Sequence, residues 1–129
     1  LGLSERGAAI TAGLIKHLGA CVCFTGPTEL SLTRLNQLKL NSQARKQHAG
    51  LHPLIEVHTA ATQSVDRSLE LSVCDQTCNP YLALASLLMA GLNGLEENLI
   101  LDSATNNAST ARSSRTSPKL PRTLERALA

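Results

Sequence analysis

The segment Asn79–Leu95 (NPYLALASLLMAGLNGL) constrains this chain more than any other. From Tyr81 to Leu95 nearly every side chain is apolar or small, and Ser86 and Asn93 are the polar exceptions. Asn79 is a good N-cap, and Pro80 suits a first helical position, where its missing N–H costs nothing. The pattern predicts a helix over Asn79–Asn98. A helix that is apolar all round needs burial on several sides, so it calls for more neighbour than a short chain easily provides. Its Leu-rich stripe reads as core packing.

The other elements are weaker. Ser4–Leu18 reads as an amphipathic helix capped by Ser4, with Ile10, Leu14, Ile15 and Leu18 at helical spacing and Gly19 as its stop. Gly26-Pro27 marks a turn, and Thr28–Leu40 reads as a short helix followed by loop. Leu54–His58 alternates weakly as a strand, while Ser68–Cys74 alternates Leu69, Leu71 and Val73 with polar partners, a clearer strand. Positions 102–118, rich in Ser, Thr and Asn and without periodicity, are expected to be a flexible loop. Thr123 then caps a final helix within 119–129.

Composition narrows the functional classes. Only Phe24 and Tyr81 are aromatic, so the core must come from Leu, Ala, Ile and Val, and its stability is expected to be marginal. A net charge of +2 is too mild for a nucleic-acid partner. No apolar run is read as long enough to cross a membrane without interruption by Pro, Gly or charge. The opening residues lack the basic start and apolar middle of a signal peptide, and the absence of an initial Met fits a fragment or processed product. Cys21, Cys23, Cys74 and Cys78 read as free thiols in a reducing cytoplasm. Their spacing, with His17 and His52 nearby in sequence, suits no standard zinc site.

Four blocks, in order, resemble the glutamine synthetase superfamily, including its gamma-glutamyl–amine ligase relatives. SERGAAITAGLIKHLGA resembles the family helix A-x-x-F-I-A-G-L-L-K-H. GPTELSLTRL is similar to N-P-T-x-N-S-Y-K-R-L, keeping Pro27, Thr28, Ser31, Arg34 and Leu35. Leu69–Leu95 resembles I-E-x-R-x-P-D-x-x-x-N-P-Y-L-x-x-A-x-x-L-x-A-G-L-x-G-I, and LPRTLERAL resembles L-P-x-S-L-x-E-A-L. The resemblance implies an α+β fold: part of a catalytic domain with antiparallel strands packed against helices, over positions 1–101 and continuing into the helical region at 119–129.

The resemblance also implies a chemistry. Family members use ATP to phosphorylate the glutamate side-chain carboxylate, and ammonia or another amine then displaces phosphate. Mg²⁺ or Mn²⁺ neutralises phosphate charge while arginines hold carboxylate and phosphoryl oxygens. By position, Arg34 and Arg45 match substrate-binding arginines, and Glu70 matches a metal-binding glutamate whose oxygen suits a hard cation. Four other arginine positions are occupied by Gln47, His52, Ser68 and Ser72. Loss of one such charge can cost about 10²–10³ in rate by analogy with other electrostatic sites.

The resulting expectation is a glutamine synthetase-family polypeptide, present as a fragment or degenerate copy and inactive alone. No catalytic residue is carried over. The alternative is a non-catalytic relative that binds or modulates intact synthetase subunits. Glutamate and ammonia (or an amine) are the implied substrates, and homo-oligomers or synthetase subunits the implied partners, in the cytoplasm.

Overall fold

The computed structural model describes residues 3–44, 54–59, 67–101 and 120–128. The predicted loop at 102–118 lies outside these residues. In chain order the elements are α1 (Glu5–Thr25), α2 (Glu29–Ala44), β1 (Ile55–Thr59), β2 (Arg67–Leu71), α3 (Pro80–Glu96) and α4 (Leu124–Leu128). The architecture is α+β: helices packed against a two-stranded antiparallel sheet.

Ser4 caps α1 as expected, its Oγ accepting from the Gly7 N–H at 3.1 Å. The expected stop at Gly19 is wrong, because α1 runs on to Thr25. The physical reason lies in the residues beyond Gly19. Leu14, Leu18, Cys21, Val22 and Thr25 form one continuous buried stripe. Burying a Val side chain contributes about 1.5–3 kcal/mol, which outweighs the roughly 1 kcal/mol cost of an interior glycine. The chain turns instead at Gly26-Pro27, after the Gly26 N–H closes on the Val22 carbonyl at 2.9 Å.

The extended α1 also corrects the expectation about membrane-length segments. By length and composition alone it is long and apolar enough to cross one. Its buried stripe, however, packs against α3 and the hairpin, and the fully buried Leu18 and Val22 belong to the core.

Thr28 starts α2, its Oγ1 accepting from the Ser31 N–H at 3.1 Å. This helix continues past the expected loop at Leu40 to Ala44. Leu32 and Leu35 face the core, whereas Leu30, in the first turn, is exposed.

The hairpin pairs Ile55 with Leu71, Val57 with Leu69 and Glu56 with Glu70. Side chains alternate across a strand, so Ile55, Val57, Leu69 and Leu71 share the core face while Glu56, His58 and Glu70 share the other. Strand β2 ends at Leu71, short of the predicted Cys74. The Ser72 N–H still reaches the Leu54 carbonyl at 3.0 Å, but β1 begins at Ile55 and the ladder stops there. Val73 nevertheless stays fully buried, held by packing rather than by strand pairing.

Helix α3 begins as predicted. The Asn79 Oδ1 accepts from the Tyr81 N–H at 3.0 Å. It finishes in a Schellman arrangement: Leu99 N–H bonds to the Gly94 carbonyl and Asn98 N–H to that of Leu95, with Asn98 at φ 49°. Asparagine tolerates this left-handed backbone better than most residues. Thr123 caps α4, accepting from the Arg126 N–H at 3.4 Å.

The contact between α1 and α3 is made by small residues. Gly13 lies directly against Gly94, and a Cβ on Gly94 would fall 2.2 Å from the Ala9 carbonyl oxygen. Ala83, Ala90, Gly91 and Gly94 are the buried residues of α3. The expectation that its leucines form core packing is therefore largely reversed. Tyr81, Leu82, Leu84, Leu88, Met89 and Leu92 are between 51% and 83% exposed, while Leu87 packs onto both core clusters.

Candidate functional site

The residues singled out by sequence fall in two places. Arg34 projects from α2 toward the loop that joins β2 to α3. Its Nη2 donates to the Cys74 carbonyl at 3.1 Å, while its Nε is buried without a partner. That loop is tightly organised. The Asp75 N–H reaches the Thr25 carbonyl at 3.1 Å, anchoring it to the end of α1. The Asp75 Oδ1 in turn accepts from the N–H of Thr77 at 2.8 Å and its hydroxyl at 2.6 Å. Hydrogen bonding from Ser31, then from Thr77, with the Arg34 charge adding to it, holds the Asp75 carboxyl below the usual carboxylate range.

The Thr28 and Ser31 retained from the second block thus have structural work. Thr28 caps α2, and its Oγ1 lies 2.6 Å from the Ser31 hydroxyl, which helps hold Asp75. Leu35 of the same block is core. Arg34 alone among these residues carries a charge, and its enclosed Nε has no hydrogen-bond partner.

Glu70 lies on the outward face of β2. Its Oε2 accepts from or pairs with His58 Nε2 at 2.8 Å, and Glu56 approaches the same ring atom at 4.0 Å. Glu56 and Glu70 sit directly opposite in the ladder, and the His58 ring lies within reach of both carboxylates. Among the described residues no group of three His, Cys, Asp or Glu side chains is gathered to hold a metal ion. Glu70 therefore lacks a ligand set for Mg²⁺ or Mn²⁺ within this part of the molecule. Nor does an ion pair join Arg34 to Glu70 among the described residues. Arg45, Gln47 and His52 lie outside them.

Sequence reasoning passed over Asp75 and read Cys74 only as a thiol, whereas the Cys74 carbonyl takes a bond from Arg34, whose charge also acts on Asp75. The cue was available, because Asp75 stands two residues before Thr77 in an Asx-turn pattern. At the far end of the α1–α3 contact, His17 Nε2 pairs with Asn93 Oδ1 at 2.7 Å. Asn93 also donates to Glu97, which bridges to Lys16. His17 is thus tied to α3 rather than to the cysteines. Cys21 is buried between the same helices, donating to the Ser86 carbonyl at 3.6 Å. Burial pushes the Cys21 and Cys23 thiols up.

The capped helices, the paired hairpin and the β2–α3 loop that Arg34 reaches from α2 define an α+β unit, and comparison with known proteins identifies its family. Residues 1–129 match the family model described as glutamine synthetase, catalytic domain, and the chain belongs to that family. Relatives include a glutamine synthetase of Methanocaldococcus jannaschii, 33% identical over 102 residues. Others come from Neisseria gonorrhoeae, 34% identical over 103 residues, and Pseudomonas aeruginosa, 36% over 104. In each case the match covers 76% of this chain and 21% of the relative, so the chain spans about a fifth of their length.

Proposed function

We propose that this chain supplies one part of a glutamate–ammonia ligase of the glutamine synthetase family and has no ligase activity by itself. It works joined to the remainder of a synthetase catalytic domain, whether on the same polypeptide or on a neighbouring subunit. The exposed apolar face of α3 carries this reading. Tyr81, Leu84, Leu88 and Leu92 recur at helical spacing on one side of the helix, with Leu82 and Met89 beside them, all exposed. Contiguous apolar patches of this kind mark surfaces that are covered in an assembly. The relatives, four-fifths of whose length lies outside the match, supply the class of occupant.

Within such an assembly Arg34 would grip the carboxylate of glutamate, a role its place in the P-T-x-x-S-x-x-R-L block supports. Glu70 would become a metal ligand only when further donors join it. ATP and a divalent cation belong to the assembled site, as does a cytoplasmic setting. Arg45 would contribute a second positive charge to substrate. Serines at 68 and 72 leave less positive charge around any nucleotide phosphate than the family pattern provides.

The test uses two measurements. The chain alone, given ATP, glutamate, ammonia and Mn²⁺, is expected to show no phosphate release above background; turnover abolished by Glu70→Ala would refute the inactive-alone reading. Co-expressed with an intact synthetase of the family, the tagged chain is expected to co-purify, and Leu84→Glu with Leu88→Glu to abolish this. A wild-type chain that remains partnerless, or a double variant that binds equally well, would refute the docking face.

A further inference from the structure

The loop from β2 to α3 contains a pair of cysteines that the ligase reading does not use. Cys74 is exposed and Cys78 half-buried. The intervening residues form a closed turn: Cys78 N–H bonds back to the Asp75 carbonyl at 3.3 Å, and Asp75 Oδ1 holds both donors of Thr77. A turn of this type brings its first and last Cα atoms within about 7 Å of each other. Cys78 closes this turn and Cys74 immediately precedes it, so the two cysteines flank the same reversal of the chain, and Cys78 is near enough to bear on the Cys74 thiol. Both ends of the loop are fixed from outside. Arg34 holds the Cys74 carbonyl, and Asn79, next to Cys78, caps α3.

The other cysteine pair offers no such geometry. Cys21 and Cys23 lie two residues apart on α1, so their side chains point to different sides of the helix. Cys21 is also buried against α3.

We propose that Cys74 and Cys78 form a reversible disulfide within this loop by exchange with a low-molecular-weight disulfide such as oxidised glutathione. One loop thiol loses its proton to solvent, and its sulfur attacks the glutathione disulfide. A mixed disulfide forms and one glutathione thiolate leaves. The second loop thiolate then attacks the protein sulfur of that mixed disulfide, releasing the other glutathione. The two cysteines are oxidised, one glutathione disulfide is reduced to two thiols, and no further oxidant is required. Desolvation, followed by the neighbouring Cys78, pushes the Cys74 thiol up. The exchange therefore quickens as pH rises through the thiol range. Because Cys74 carries the carbonyl that holds Arg34, the bridge would stiffen the segment that sets the Arg34 guanidinium.

The test titrates the full chain with oxidised and reduced glutathione at stepped ratios, natively and in urea, followed by acid quench, alkylation and peptide mass analysis. The expected product is the peptide spanning Ser68 to Arg112 with an internal disulfide, two hydrogens lighter and doubly alkylated only after reduction. Half-formation natively is expected at a ratio about tenfold less oxidising than in urea, because the folded turn raises the effective concentration of one thiol at the other. Cys78→Ser is expected to leave only the glutathione adduct on Cys74. The proposal is overturned if both thiols remain alkylated at every ratio, if only glutathione adducts accumulate on the native chain, or if native and urea-treated chains oxidise alike.

Discussion

Alanine substitutions at four helical glycines should change stability in opposite directions, and the structure sets each sign. At Gly13 an added Cβ would lie 2.3 Å from the Ala90 carbonyl oxygen and 2.7 Å from the Cα and N of Gly94. Ordinary C···O contacts begin near 3.3 Å, so about 1 Å must be found by moving one backbone away from another. Side-chain repacking cannot supply it, because both obstacles are main chain. Overpacking of this kind costs about 1–3 kcal/mol, and the gain in helix propensity offsets only about 1 kcal/mol. Since backbone is involved, the upper end applies, and a net loss of about 2 kcal/mol is expected for Gly13→Ala. Gly94→Ala meets the Ala9 carbonyl oxygen at 2.2 Å and should lose as much. At Gly19 the nearest atom is Pro121 Cδ, 3.8 Å away, an ordinary contact, so Gly19→Ala should stabilise by roughly 1 kcal/mol. Gly91→Ala touches a single Ile10 methyl at 3.2 Å and should fall between them. Urea titration followed by circular dichroism reads these effects. With a slope of about 2 kcal/mol per M, Gly13→Ala lowers the midpoint by roughly 1 M and Gly19→Ala raises it by roughly 0.5 M. Equal shifts in one direction for Gly13→Ala and Gly19→Ala would refute the close helix crossing.

Thr25 is fully buried and its hydroxyl has no partner, so the isosteric Thr25→Val should raise the urea midpoint, by about 1 kcal/mol in stability; a lower midpoint would show the hydroxyl to be satisfied. The folded-state pKa of Asp75 is lowered, so its stabilising contribution is present above the ordinary carboxylate pKa and is lost as pH falls through that value toward the folded one. Asp75→Asn should flatten the acid limb of a stability-versus-pH curve, and an unchanged limb would contradict it. The Glu70–His58 pair is about half exposed on both sides, so Glu70→Gln should alter stability by less than about 1 kcal/mol; a larger loss by urea titration would show the hairpin to depend on it. Thermal unfolding of the chain alone should be broad, because its leucine core is small and much of α3 lies uncovered; a sharp high-temperature transition would refute that.

Local signals translated well where one residue decides the outcome. Ser4, Asn79 and Thr123, each read as a cap, take a side-chain bond from the first turn of the helix they precede. Such bonds span two or three residues, and nothing distant competes with them. The two strands were legible in the alternation around Val57 and Leu69, because only one face of the sheet meets the core. The end of α1 was not legible. Gly19 is a weak local stop, and only packing of Cys21 and Val22 against other elements overrides it. The site was legible in part. Arg34 and Glu70 were singled out through family blocks, but that Arg34 reaches the Cys74 carbonyl and acts on Asp75 depends on how α2 sits beside the β2–α3 loop.

By itself the sequence determined three of the helix caps, the strand alternation and membership of the glutamine synthetase family, since each rests on nearby residues or on ordered motifs. Tertiary structure decided which side of α3 is core. Periodicity marks Asn79–Leu95 as apolar without ranking its faces, and leucine reads as the residue to bury. Gly13 opposite Gly94 lets the backbones of α1 and α3 approach so closely that the small-residue face is buried and the leucines turn outward.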